Sequence, residues 1–287
     1  MMKMLILFIL FVFLGRNVFS QTLDDGLAKV FYTMQHKRDI HNKDSVYREN
    51  MILLVGKNAS VFSSFDKIKQ VVDIEKQSQE QRSKFTGAGR VALKPTGLKK
   101  IYTDEIFQCH VEHKRFIKEF LVRNYLYEEL WENINWKLTS ETKTFGKISA
   151  QKATATFKGR QWEAWFAPEL PFETGPWKLH GLPGLIIEAY DITREIEFLF
   201  SGFESVMSSA NQPGINNNDK TNAIALPKKV IKVSESEIKK LKDSMYKNPK
   251  GFTMAQLMAT GGFADDANDM LGMSYKEINN PIELPAQ

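Results

Sequence analysis

Pro168, Pro171, Gly175, Pro176, Pro183 and Gly184 fall within seventeen consecutive residues, between a hairpin-like segment and the apolar-rich run Leu185 to Asp191. Proline fixes φ and lacks an N–H donor, while glycine enters φ regions closed to other residues, so no helix or continuous strand ladder can cross this stretch. It has to be ordered by its own backbone geometry, as a rigid loop. The segment before it, Lys147 to Phe157, the Lys158-Gly159 turn and Arg160 to Ala167, alternates as a β-hairpin does. Trp162 and Ala164 share one face of its second strand and Glu163, Trp165 and Ala167 the other, so an aromatic ring stands on each side.

Period-two patterning dominates the remainder. Lys29 to Asp39, Val46 to Val55 and Ala59 to Phe65 read as a meander, and Lys100 to Val111, His113 to Leu121 and Asn124 to Leu138 as further strands. Leu185 to Asp191 and Glu195 to Phe203 form a later hairpin, and Pro227 to Val233 a last strand. Two helices are expected. One runs from a cap at Asp66 to about Arg82 with Ile68, Val71 and Val72 at helical spacing, its second half exposed; the other runs from Glu235 to Tyr246 behind Ser234. Residues 205–223, rich in Ser, Asn, Gly and Asp, read as a long exposed loop, and 247–279 is the least determined stretch. The expected fold class is therefore mainly β (α+β): a curved antiparallel, half-barrel-like sheet with a few helices packed on it. One β-rich domain is expected over 21–263, followed by a tail at 264–287.

At the N-terminus Lys3 precedes an apolar run from Met4 to Leu14, then Gly15, Arg16 and the small-residue pattern before Gln21. This is the pattern of a secretory signal peptide cleaved after Ser20; the run is too short for a membrane span, which needs roughly 20 residues. Without Lys3 and Arg16 the basic residues number 37 against 34 acids, too mild an excess to imply nucleic acid. The lone cysteine, Cys109, has no intramolecular partner and reads as a core residue of a strand. No HExxH, Gly-x-Ser-x-Gly or glycine-rich phosphate loop occurs, and no cofactor is implied. His110 and Glu112, about 6.6 Å apart on one face of a strand, together with His113, are the residues on which a metal-dependent or hydrolytic enzyme would be built. Glu163, Glu169 and Asp191 are the remaining acid–base candidates.

A family resemblance rests on Trp136-Lys137-Leu138, Glu141-Thr142-Lys143, Gln151-Lys152-Ala153, Gly159-Arg160, Trp162 and Trp165-Phe166-Ala167-Pro168-Glu169, continuing through Gly175-Pro176-Trp177 and Gly181-Leu182-Pro183-Gly184-Leu185-Ile186 to Asn280-Pro281-Ile282-Glu283-Leu284. In this order the chain resembles the GLPGLI family of Bacteroidetes secreted proteins, most specifically over 136–191. Members often carry an aromatic residue and a cysteine before Gln-Lys-Ala; here Ile148 and Ala150 stand there, so no role for that thiol carries over. The resemblance implies an exported, cell-envelope protein of unassigned activity, often encoded beside TonB-dependent outer-membrane receptors.

Two roles suit the motif. Trp165, Trp177, Leu182, Leu185 and Ile186 plug the core where the loop crosses the open side of the sheet, with Gly181 and Gly184 allowing close backbone approach; or the same residues, with Pro183 and Arg160, form the rim of an apolar groove or a docking surface. Arg160 is expected to pair with Glu163 or Glu169. The function expected is non-catalytic binding in the periplasm, of a hydrophobic ligand or of an outer-membrane TonB-dependent receptor. The alternatives are the enzyme centred on His110, Glu112 and His113, and a purely structural envelope partner.

Overall fold

The computed structural model describes residues 22–84, 102–206, 222–259 and 278–284. The expected signal peptide, residues 85–101, most of the expected 205–223 loop and most of the expected 264–287 tail lie outside the described residues. Thirteen strands are present among the described residues: β1 (Thr22–His36), β2 (Tyr47–Gly56), β3 (Ala59–Ser64), β4 (Glu105–Cys109), β5 (Lys114–Leu121), β6 (Arg123–Glu129), β7 (Lys137–Phe145), β8 (Ile148–Phe157), β9 (Arg160–Ala167), β10 (Leu185–Asp191), β11 (Ile196–Ser205), β12 (Ala223–Ala225) and β13 (Ile231–Lys232). Three helices accompany them: α1 (Phe65–Ser83), α2 (Glu235–Lys247) and α3 (Pro249–Met258). The strands form one curved sheet in the order β13-β6-β5-β4-β3-β2-β1-β11-β10-β9-β8-β7, with β12 paired to β1. Every pairing is antiparallel except the short β13–β6 contact. The sheet is not closed, and its β7 edge, Lys-Leu-Thr-Ser-Glu-Thr-Lys-Thr-Phe, carries the charged and hydroxyl side chains that discourage edge-to-edge pairing.

Alternation assigns the faces. In β1, Ala28, Val30, Tyr32, Met34 and His36 point inward and are buried, whereas Lys29, Phe31, Thr33 and Gln35 point outward. Met51, Leu53 and Val55 of β2 continue the inner face, and Trp162 stacks between Trp177, at 5.6 Å, and Phe198, at 6.3 Å. The β8–β9 turn has φ of 49° at Lys158 and 74° at Gly159, the double positive φ of a type I′ turn, whose twist suits a two-residue hairpin. A second cluster joins Ile117, Leu121, Tyr125 and Tyr127 to Ile238, Met245 and Phe252 of α2 and α3.

Several sequence expectations are corrected. Helix α1 begins at Phe65 behind Ser64, whose Oγ accepts the Lys67 N–H at 2.9 Å, while Asp66 accepts from the Asn50 backbone and side chain instead of capping. The strand expected through Val111 stops at Cys109. His110 to His113 form a turn with His113 at φ 50°, because β4 and β5 are adjacent antiparallel strands that need one there. The stretch from Asn124 to Leu138 is two strands with Trp131 in the link between them. Within the expected 205–223 loop, Ala223 begins β12, because Thr22, Asp24 and Asp25 of β1 offer it a free edge. The late strand shrinks to two residues, and α3, opened by Asn248 and Pro249, occupies part of the stretch without a firm reading. By contrast α2 starts where expected, with a capping box between Ser234 and Glu237.

Candidate functional site

The motif residues lie mostly inside. Trp177, Leu182, Leu185 and Ile186 are buried on the inner face, and Trp165 is buried with its Nε1 donating to the Tyr190 hydroxyl at 3.1 Å. Gly181 and Pro183 are exposed. The loop is tied down by its own backbone: the Gly181 N–H donates to Glu173 O, Leu185 N–H to Leu170 O, and Ile186 N–H to Thr174 O. The Tyr32 hydroxyl reaches across to Ile186 O at 2.7 Å. The motif's apolar side chains thus pack into the core, and Trp177 also reaches the wall of a cleft.

Arg160 pairs with neither Glu163 nor Glu169. Its guanidinium bonds Asp191 at 2.6 Å and Glu195 at 3.3 Å, and donates to the carbonyls of Pro281 and Ile282 and to Asn280 Oδ1. Glu163 is taken by Lys152, and Glu169 accepts from the Ser149 N–H. The second strand of the hairpin thus anchors residues 280–282 through one side chain, and the acid–base trio is dispersed over three separate partners.

Beside Trp177 the inner face opens into a polar cleft of about 430 Å³ lined by Tyr102, Asp104 and Tyr127, by Lys178 of the loop, by Lys242 of α2 and by Ile282 and Glu283. Lys178 bonds both Glu129 and Glu283, and Glu129 also accepts from Arg115, which is fully buried. Lys242 pairs with Glu119 at 2.7 Å. Asp104 has no ion pair among the described residues; burial, and then the Glu119 charge, push its carboxyl up to about 7. A carboxyl shifted this far in a cleft is a candidate functional group.

On the outer face a second opening, a groove of about 740 Å³, separates α1 from the sheet. Its floor is Phe31, Ile52, Leu54, Val61 and Phe107, and its wall is Ile68, Val71 and Val72 of α1. Those three, spaced i, i+3 and i+4, form one apolar stripe, yet they remain 45%, 46% and 57% exposed. No residue of α1 is buried. Lys29, Lys67, Glu105 and Glu204 also border the groove.

His110 and His113, on which the alternative enzyme would be built, gather with His180 around the Trp131 indole. His113 stacks on Trp131 at 5.6 Å, His180 lies 4.1 Å from it, and His110 meets it edge-on at 6.1 Å. Glu112 pairs with Lys114, and because residues 110–113 form a turn, the strand face that would have presented His110 and Glu112 together does not exist. Among the described residues no group of three His, Cys, Asp or Glu is arranged to hold a metal. Burial drives His110 and His180 down to about 4, so both rings are neutral near pH 7. Burial likewise raises the Cys109 thiol to about 11, as befits a core residue. Among the described residues no helix is long and apolar enough to cross a membrane.

A family model described as a protein of unknown function (Porph_ging) matches residues 156–188, from the end of β8 through the loop into β10. No curated protein matches. Among solved structures, PNGF-II in its P21 space group is similar with a TM-score of 0.48 and 10% identity, over 75% of this chain and 32% of that chain. In the C2 space group the figures are 0.45 and 12% over the same shares, so this chain spans about a third of that protein's length.

Proposed function

We propose that this chain is a non-catalytic binding protein of the cell envelope that holds an apolar ligand in the groove between α1 and the outer face of the sheet. The observation that carries this is the uncovered apolar stripe of α1 facing an apolar floor across about 740 Å³, a size suited to small-molecule sites. A helix with no buried residue costs folding energy to order and gains little by packing, so its exposed Ile68, Val71 and Val72 are better accounted for by an occupant. The envelope location rests on the leader-like segment ending at Ser20 and on the resemblance to GLPGLI proteins.

The test is displacement of a fluorescent fatty acid, cis-parinaric acid, from the mature protein, with native mass spectrometry of material drawn from its own envelope. A Val71→Asp/Val72→Asp variant is expected to bind at least tenfold more weakly while keeping its unfolding midpoint, since both positions are solvent-exposed. Undiminished binding would remove the groove from the reading. An empty protein that co-purifies with an outer-membrane receptor would assign the groove to that receptor's apolar side chains.

A further inference from the structure

The polar cleft on the inner face is a separate place with its own chemistry. Asp104 lines it without an ion pair among the described residues, and the neighbouring Lys242, which also lines it, is committed to Glu119 at 2.7 Å. Two of the other lining cations are engaged as well. Lys178 is held by Glu129 and Glu283, and the Arg38 guanidinium lies 3.3 Å from the centre of the Tyr47 ring. Lys239 and Glu235 stand exposed on α2 at the cleft margin. Tyr102, Tyr127, Tyr246 and Trp177 supply aromatic walls.

We infer that this cleft is a binding site for an organic cation, a primary ammonium carried on an aromatic or aliphatic stem, with Asp104 as its counter-ion and the tyrosine rings as its walls. An ammonium there gains a charge-assisted hydrogen bond and the negative faces of the rings in a partly desolvated site. A proton competes with that ammonium for Asp104. It is held on Asp104 by burial and by Glu119 of β5 against the opposing pull of Lys242 of α2, of Tyr102 before β4 and of Lys178 in the loop.

The sign of the pH dependence follows. A carboxyl raised in the fold stabilises the folded protein most below its unfolded value of about 3.9, and that contribution is lost as pH rises through about 7. Ligand binding runs the other way, because the cation needs Asp104 ionised. Phenethylamine is the probe, titrated calorimetrically, with 2-phenylethanol as its uncharged counterpart. Affinity for phenethylamine is expected to rise roughly 30-fold from pH 5.5 to pH 8, with up to one proton released per amine bound at the lower pH. Asp104→Asn should weaken it at least tenfold and flatten the pH profile, while its unfolding midpoint at pH 8 is no lower than wild type. Equal binding of amine and alcohol, or a pH profile unchanged in Asp104→Asn, would overturn the assignment.

Discussion

Gly184→Ala is expected to lose about 4 kcal/mol of stability or to fail to fold, and the reason is geometric. Gly184 has φ of 150°, and a Cβ placed on it would stand 2.3 Å from Ala167 O, 2.7 Å from Ala167 C and 2.9 Å from Pro168 Cα. All three are backbone atoms at the end of β9, so no rotamer change relieves the contact. The loop would have to lift, and Leu182, Leu185 and Ile186, each at most 1% exposed, would lift with it. Gly181→Ala is the matched control: φ there is 85°, but a Cβ meets nothing within 4 Å, so only the left-handed backbone cost of about 1–2 kcal/mol applies. Urea unfolding of both variants checks this. A Gly184→Ala midpoint equal to that of Gly181→Ala would show that close approach of loop and strand is unimportant.

That contrast also shows what the sequence made legible. The β8–β9 hairpin was readable because its determinants are local: period-two alternation and the Lys158-Gly159 turn, which needs positive φ at both positions and has it. The rigid loop was readable for the same reason, since proline and glycine act on their own backbone. Strand ends were less so. Cys109 to His113 alternates well enough to continue β4, but the turn into β5 is a tertiary requirement that overrides local pattern.

The two openings were hidden for different reasons. Ile68, Val71 and Val72 announced a helical stripe, and such a stripe ordinarily predicts burial; only the position of α1 over the sheet reveals that it stays uncovered. The polar cleft had no local signature at all. Asp104, Tyr127, Lys178, Lys242 and Glu283 come from five distant stretches of the chain, and no spacing rule connects them. Arg160 is intermediate. A buried arginine needs a carboxylate, which the sequence implied, but the nearest candidates, Glu163 and Glu169, were taken by Lys152 and the Ser149 N–H.

Arg160→Ala carries the other large effect, about 3–5 kcal/mol, as expected when one partner of a buried ion pair is removed. Arg160 is 4% and Asp191 2% exposed, so the carboxylate left behind stays out of water and keeps only Thr193 Oγ and the N–H groups of Glu195 and Ile196. The same substitution removes three hydrogen bonds to residues 280–282, leaving that segment held by the Asn280 N–H on Arg38 O, by the Asn280 amide on Lys37 O and Glu195, and by His36 on Asn280 O, with the Leu284 N–H on Lys158 O and the Lys178–Glu283 pair beyond it. Hydrogen exchange at Leu284 should therefore accelerate well beyond the change in global stability. Arg160→Lys separates the two roles, because an ammonium can still meet Asp191 but lacks the planar fork that reaches Ile282 O, Asn280 Oδ1 and Pro281 O at once. It should retain most of the stability and still free the segment. If Leu284 stays protected in Arg160→Lys, the segment is held by its own backbone contacts, and Arg160 serves only to neutralise Asp191.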